Sequence, residues 1–145
     1  ETLKEVADWI NSDLTSQNTW TPIGLGEKNT KFLGTFDGQD YTIYGLYVNR
    51  TAITPAYEAS GLFGTIGAGT VIKNVKVCGA VIDGLTTGNP NGATTNGHAV
   101  IAGSIYFNGT VDNASVNYAI VKANRYIGGI VGRVNDLFTL SNKSL

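Results

Sequence analysis

The sequence predicts an all-β chain wound as a parallel β-helix, a solenoid of about four coils, with one α-helix at its N-terminal end. Three observations carry this. Helical periodicity is confined to the opening "ETLKEVADWINSD". All that follows is short β-type runs broken by Gly, Asn, Asp and Thr. The breaks themselves recur at a fixed interval.

The helix has a start signal and an apolar stripe. Thr2 and Glu5 form a T-x-x-E capping box, in which hydroxyl and carboxylate each satisfy a free backbone N–H. Leu3, Val6, Ala7 and Ile10 fall at i, i+3, i+4 and i+7, on one face. The expected division is a capping helix over 1–12 and repeats over 13–145.

The repeat reads apolar, any residue, Gly or Asn, apolar, any residue, apolar. It occurs at Ile43–Val48, Ile72–Val77 and Val111–Val116, and begins again at Leu140-Ser141-Asn142. Its third position falls at 45, 74, 113 and 142, spaced by 29, 39 and 29. Gly64, Gly103 and Gly132 travel with it, each ten residues before an asparagine. They close the tetrads "GLFG", "VIAG" and "GIVG". The ten extra residues of the longer interval lie within 83–100, "DGLTTGNPNGATTNGHAV", which reads as an inserted loop. The coils are expected around 13–42, 43–71, 72–110 and 111–145.

Alternate residues of a strand point to opposite faces. Ile72 and Val75 can therefore share a core only if the chain bends near Asn74. Gly and Asn enter left-handed backbone space most readily, so the third position is expected to be a corner with positive φ. The tetrad glycines are expected at a second corner or a close backbone approach. Four inward columns follow: Ile43, Ile72, Val111, Leu140; Leu46, Val75, Ala114; Val48, Val77, Val116; and Ile53, Ile82, Val121. A solenoid needs its end edges covered, and the helix is the expected N-terminal cap. The sequence stops at "TLSNKSL", halfway through a coil. That is expected of a fragment of a longer solenoid, or of an edge that pairs with a neighbour. A β-sandwich suits short strands as well, but does not predict equal spacing.

Composition narrows the function classes. Charged residues are 14% of the 145, so the surface has little solvating charge. Lys plus Arg is 10 and Asp plus Glu 11, with no basic run, which argues against nucleic acid or anionic lipid as partners. Apolar stretches fall far short of the roughly 20 residues a membrane-spanning helix needs. Cys78 is the single cysteine and reads as a small buried hydrophobe. The sequence starts at Glu1 without any methionine, as expected of a processed protein or an excised piece.

"NTWTPIG" (18–24), "FLGTFDGQDYTIYGLYV" (32–48), "SGLFGTIGAGTVIKNVKV" (60–77) and "YIGGIVGRV" (126–134) together resemble the GLUG-motif repeat family. The likeness covers the chain from about residue 13. That family comprises secreted bacterial surface proteins, including adhesin-like proteins and regions of immunoglobulin-A-cleaving metalloproteases. The resemblance implies a right-handed β-helix and an extracellular or cell-surface location. It supplies no catalytic residues: H-E-x-x-H is absent and His98 is the single histidine. In such proteins a longer stretch separates the helix from "D-L-T"; here Ser12 alone lies between "WIN" and "DLT".

The candidate site residues are Tyr44, Tyr47, Trp20, Asp37 and Asp40. Tyr44 and Tyr47 flank the corner at Gly45 and are expected to face outward, where aromatics suit protein or sugar binding at low entropy cost. They could equally pack under the Trp20 segment. Their expected counterparts are Lys73 and Lys76, then Asp112 and Ser115. Asp37 and Asp40 form the best carboxylate pair for acid–base or glycosidic chemistry, but Asp-Gly is also a plain turn signal. His98 is expected to be a solvated loop residue, and without a second His or Cys nearby no zinc is expected. Asn49, Asn108, Asn113 and Asn142 open N-x-[ST], which arises by chance in a chain this rich in Asn, Ser and Thr. The expectation is a non-enzymatic, adhesin-like surface module without cofactor or metal. It would present a face to an extracellular or host protein or glycan, and self-associate through its C-terminal edge. A carbohydrate-active β-helix enzyme and a structural spacer are the alternatives.

Overall fold

The computed structural model describes residues 2–25, 30–50, 59–84 and 97–135. It is mostly β, with one short N-terminal helix. The elements are α1 (Leu3–Ile10), β1 (Thr35–Asp37), β2 (Thr42–Asn49), β3 (Phe63–Ile66), β4 (Val71–Gly84), β5 (Ala102–Tyr106), β6 (Thr110–Ala123) and β7 (Val131–Asn135). Among the described residues every strand pairing is parallel. In one sheet β1 and β2 pair along β4, and β4 pairs with β6; the other runs β3-β5-β7. After β2 the chain alternates between the sheets, strand by strand. Leu46, Val48, Ile72, Val75, Val77 and Ile82 of the first sheet meet Phe63, Ile66, Ala102 and Ile105 of the second in one core cluster.

Between the second and third repeats the columns pair as expected. Ile72 pairs with Val111, Val75 with Ala114, Val77 with Val116 and Ile82 with Val121. In the other sheet Phe63 pairs with Ala102 and Ala102 with Val131, which sets Gly64, Gly103 and Gly132 in one row. Ile53, Leu140, Asn142 and residues 85–96 of the inserted loop lie outside the described residues.

The first repeat departs from the expected register. Tyr44 pairs with Cys78, Leu46 with Ala80 and Val48 with Ile82. Gly45 therefore matches Gly79 rather than Asn74, and Ile43, Leu46 and Val48 sit beside Val77, Ala80 and Ile82. The physical reason is that each of the three described repeats has two left-handed corners, five residues apart. They are Asp40 (φ 61°) and Gly45 (φ 72°), then Asn74 (φ 55°) and Gly79 (φ 82°), then Asn113 (φ 48°) and Tyr118 (φ 55°). Gly or Asn suits either corner, so the sequence pattern slides from one to the other.

These corners set the burial pattern. Ile72, Val75, Val77, Ala80 and Ile82 are all buried, at spacings of three, two, three and two. A flat strand puts i and i+3 on opposite faces. Each interval of three spans a positive-φ residue, which turns the strand so that both neighbours point inward.

Helix α1 has its capping box, with Glu5 N–H donating to Thr2 Oγ1 and Thr2 N–H to Glu5 Oε2. It touches β2, β4 and β6 alike. Val6 is buried and Leu3 exposed. A Cβ on Gly79 would lie 2.8 Å from Val6 Cγ1, and one on Gly45 3.6 Å from Trp9 Cζ2. The helix thus rests on a strip of bare backbone. A satellite cluster of Leu14, Tyr47 and Val81, with Trp9, Ile10 and Ile120, extends this packing.

The row of tetrad glycines is a site of close backbone approach. A Cβ on Gly103 would lie 2.5 Å from Gly97 O and 2.8 Å from Gly64 O; one on Gly132 would lie 2.4 Å from His98 N. None of the three has positive φ, so the constraint is steric. Gly103→Ala is expected to cost about 3 kcal/mol in urea unfolding, through backbone displacement in a packed core. Gly69 (φ 72°) has nothing within 4 Å of its Cβ position. Gly69→Ala is therefore expected to cost only the backbone term, roughly 1–2 kcal/mol. Equal costs for the two variants would remove the steric account.

Candidate functional site

The sequence candidates separate into a polar edge and an aromatic face. At the edge, Asp37 Oδ1 accepts from Asn74 Nδ2 at 2.9 Å and from the Gln39 N–H at 2.9 Å. Asn113 Nδ2 donates to Asn74 Oδ1 at 2.8 Å. Asp37, Asn74 and Asn113 thus form a ladder of side chains along the sheet edge. Asp40 Oδ1 stands 3.1 Å from Lys76 Nζ and accepts a long 3.5 Å bond from Asn113 Nδ2. Asp37 Oδ2 stands 3.5 Å from Lys73 Nζ.

This surrounding defines what Asp37 can do. The Asn74 amide, then the Gln39 N–H and more weakly Lys73 hold its carboxyl below the usual carboxylate range. A general acid at neutral pH needs the opposite shift. The Asp37–Gln39 bond is an Asx-turn, so the turn reading of "FDGQDY" accounts for this aspartate.

Tyr44 is 46% exposed, as expected of an outward residue, but Tyr47 is only 9% exposed. Tyr47 points away from the main core and is covered by Leu14, while its hydroxyl accepts from Asn49 Nδ2 at 3.0 Å. The expectation that Tyr47 is exposed is corrected here: it takes the other course and packs beneath the segment that leads to Trp20. In register their counterparts are Cys78 and Val81, not Lys73 and Lys76. Trp20 is 40% exposed, and its indole N–H donates to Leu62 O at 3.1 Å while its backbone N–H donates to Tyr47 O at 2.7 Å. It fastens the end of β2 to the segment entering β3. Cys78 is buried, as expected.

Tyr44 has partners that the sequence reading did not include. It lines a groove of about 500 Å³ with Glu5, Val6, Trp9 and Gly45, between α1 and β2. Trp9 carries no sequence signal beyond its place in the helix. The surface it would meet depends on the Gly45–Gly79 match, which the sliding pattern concealed.

His98 corrects another expectation. It is 4% exposed and bridges Ser60 on one side and Ile127 on the other. Its N–H donates to Tyr126 O and its carbonyl accepts from the Gly128 N–H. The ring lies against Gly84, where a Cβ would be 2.4 Å from Nδ1. Nδ1 has no hydrogen-bond partner, and burial pushes the imidazole pKa down to about 4. Among the described residues no three His, Cys, Asp or Glu are grouped to hold a metal ion.

Two measurements test this geometry. Folding keeps His98 neutral, whereas the unfolded chain takes up a proton below about pH 6.5. Its contribution is therefore complete above pH 6.5 and lost as pH falls towards 4, by up to roughly 3 kcal/mol. Glu5, Asp13 and Asp37 have lowered pKa values and lose their contributions only as pH falls below about 4.5, so against these groups the slope above about pH 5 belongs to His98. Urea melts over that range should slope in the parent and flatten in His98→Gln. Separately, Asn74→Gly keeps the left-handed corner but removes the ladder, and Asn74→Ala loses both. Costs of about 1 and about 2–3 kcal/mol are expected, and equal costs would mean that the corner contributes nothing.

No family model matches the chain, and no solved structure does. Among the described residues no helix is long and apolar enough to cross a membrane. Halomucin of Haloquadratum walsbyi is 31% identical over 130 residues, which is 86% of this chain and 1% of halomucin. A protein of Evansella cellulosilytica, provisionally named a Gly-rich membrane protein, is 31% identical over 99 residues. That stretch is 67% of this chain and 10% of that protein. The chain is thus distantly homologous to short segments of two much longer proteins.

Proposed function

We propose that this chain is a non-enzymatic, adhesin-like module of the cell surface or secreted space. In this reading it winds as a right-handed β-solenoid and presents an outward face to a protein or glycan. The observation that carries it is the register. Equivalent residues of successive repeats lie side by side across parallel strands, so the outward face is a regular array at the ~4.8 Å strand spacing. The GLUG-repeat resemblance supports the right-handed winding. A cell-envelope location draws support from the two relatives' names, a mucin and a membrane protein.

The lack of catalysis is read from the carboxylates. Asp37 and Asp40 each face a lysine, and Asp37 is held ionised by its hydrogen bonds. A glycosidase pair needs one carboxyl kept protonated.

A second reading, a structural spacer that self-associates, has its own observation. Among the described residues, β6 has a strand partner along one edge only, across fourteen residues. Such an edge accepts a further strand, which the expected fourth repeat of the same chain or a second copy would supply.

Glycan and extracellular-protein arrays run beside a reducing-sugar assay separate these readings. Binding without turnover is expected, and Asp37→Asn is expected to leave it unchanged. Polysaccharide turnover abolished by Asp37→Asn would overturn the proposal. Neither binding nor turnover, with concentration-dependent association in sedimentation, would select the spacer.

A further inference from the structure

The geometry points to a binding site for an organic cation, an ammonium or trimethylammonium group, in the groove between α1 and β2. The groove holds about 500 Å³ and is lined by Glu5, Val6, Trp9, Tyr44 and Gly45. Among the described residues Glu5 is the single charged one in that lining. Two aromatic side chains stand with it, and aromatic faces attract cations through their quadrupole. Carboxylate and aromatics together match a positive, partly apolar group and repel an anion.

The groups are in a state to act. Both bonds from Thr2 fall on Glu5 Oε2, so Oε1 accepts no hydrogen bond among the described residues. Those same bonds hold the Glu5 carboxyl below its usual range, so it is charged at neutral pH. The nearest helical cation, Lys4, is engaged by Asp8 and is not in the lining. Tyr44 is 46% exposed beside Gly45. Gly45 has φ 72°, and a Cβ there would stand 3.6 Å from Trp9 Cζ2, narrowing the groove. The site joins Glu5, Val6 and Trp9 of the helix to Tyr44 and Gly45 of the first repeat, and does not depend on the surface-module reading.

The test is an NMR titration that follows the indole N–H signals of Trp9 and Trp20. Choline, lysine amide and the uncharged tert-butyl isostere of choline are the probes. A saturable shift of Trp9, not Trp20, is expected with a cation and not with the isostere. Saturation by choline alone assigns the methylated headgroup as the source, and saturation by lysine amide assigns a protein side chain. Glu5→Gln preserves the capping box, because glutamine serves at that position. It should weaken binding about tenfold, as should Tyr44→Leu, with amide spectra showing the fold intact. Equal binding of the isostere, unchanged binding by Glu5→Gln, or no saturable Trp9 shift with either cation would each overturn the site.

Discussion

The constraint on which this structure depends is a pair of left-handed corners in each of the three described repeats. A parallel strand of fourteen residues such as β4 would, if flat, divide its apolar side chains between two faces. The corners at Asn74 and Gly79 return them to one. Left-handed backbone costs roughly 1–2 kcal/mol for most residues and little for Gly or Asn. Four of the six corners are Gly or Asn, and Asp40 and Tyr118 occupy the other two. Tyr118 lies on β6, whose residues are half-buried or exposed, and is itself 45% exposed.

Asparagine at a corner has a second consequence. Its short amide is a donor and an acceptor, so one asparagine can accept from the next repeat and donate to the last. Asn74 does both, between Asn113 and Asp37. Glycine could make the turn but not the ladder. The other corner row takes glycine in its first two repeats for the opposite reason. A side chain at Gly79 would occupy the space of Val6, while at Gly45 the left-handed backbone sets the choice and a Cβ would only touch Trp9; bare backbone at Gly79 is what lets the helix settle on the sheet.

The repeat was legible because residues three places apart must share a core, and only a bend allows it. The pattern around Asn74 and Asn113 states this directly, and their pairing follows. The glycine row was legible for the same kind of reason, through equal spacing from the asparagines. What the letters did not disclose was which corner Gly45 occupies, because Gly serves both. That one ambiguity propagated: it placed Lys73 and Lys76 opposite Tyr44 and Tyr47 and left Tyr47 exposed. His98 was misread differently. Its neighbours are turn-forming residues, but it lies one position from the strictly buried "AVIAG", and its backbone bonds to Tyr126 and Gly128 bring it inside.

Regularity also decides where a small ligand could sit. Parallel strands with side chains in register make a nearly even outward face, and an even face offers no concavity. The polar edge follows this rule, since Asp37, Asp40, Asn74 and Asn113 satisfy one another and their lysines across it. A concavity needs something irregular laid over the array. The helix is that irregularity, and it crosses the sheet where two glycines remove the side chains beneath it. The groove at Tyr44 exists because the capped helix carries Glu5 and Trp9 to the border of the repeat, which sets an ionised carboxylate and aromatic side chains in one lining. The repeats thus provide extent and stiffness, while chemical selectivity resides where the repetition is interrupted.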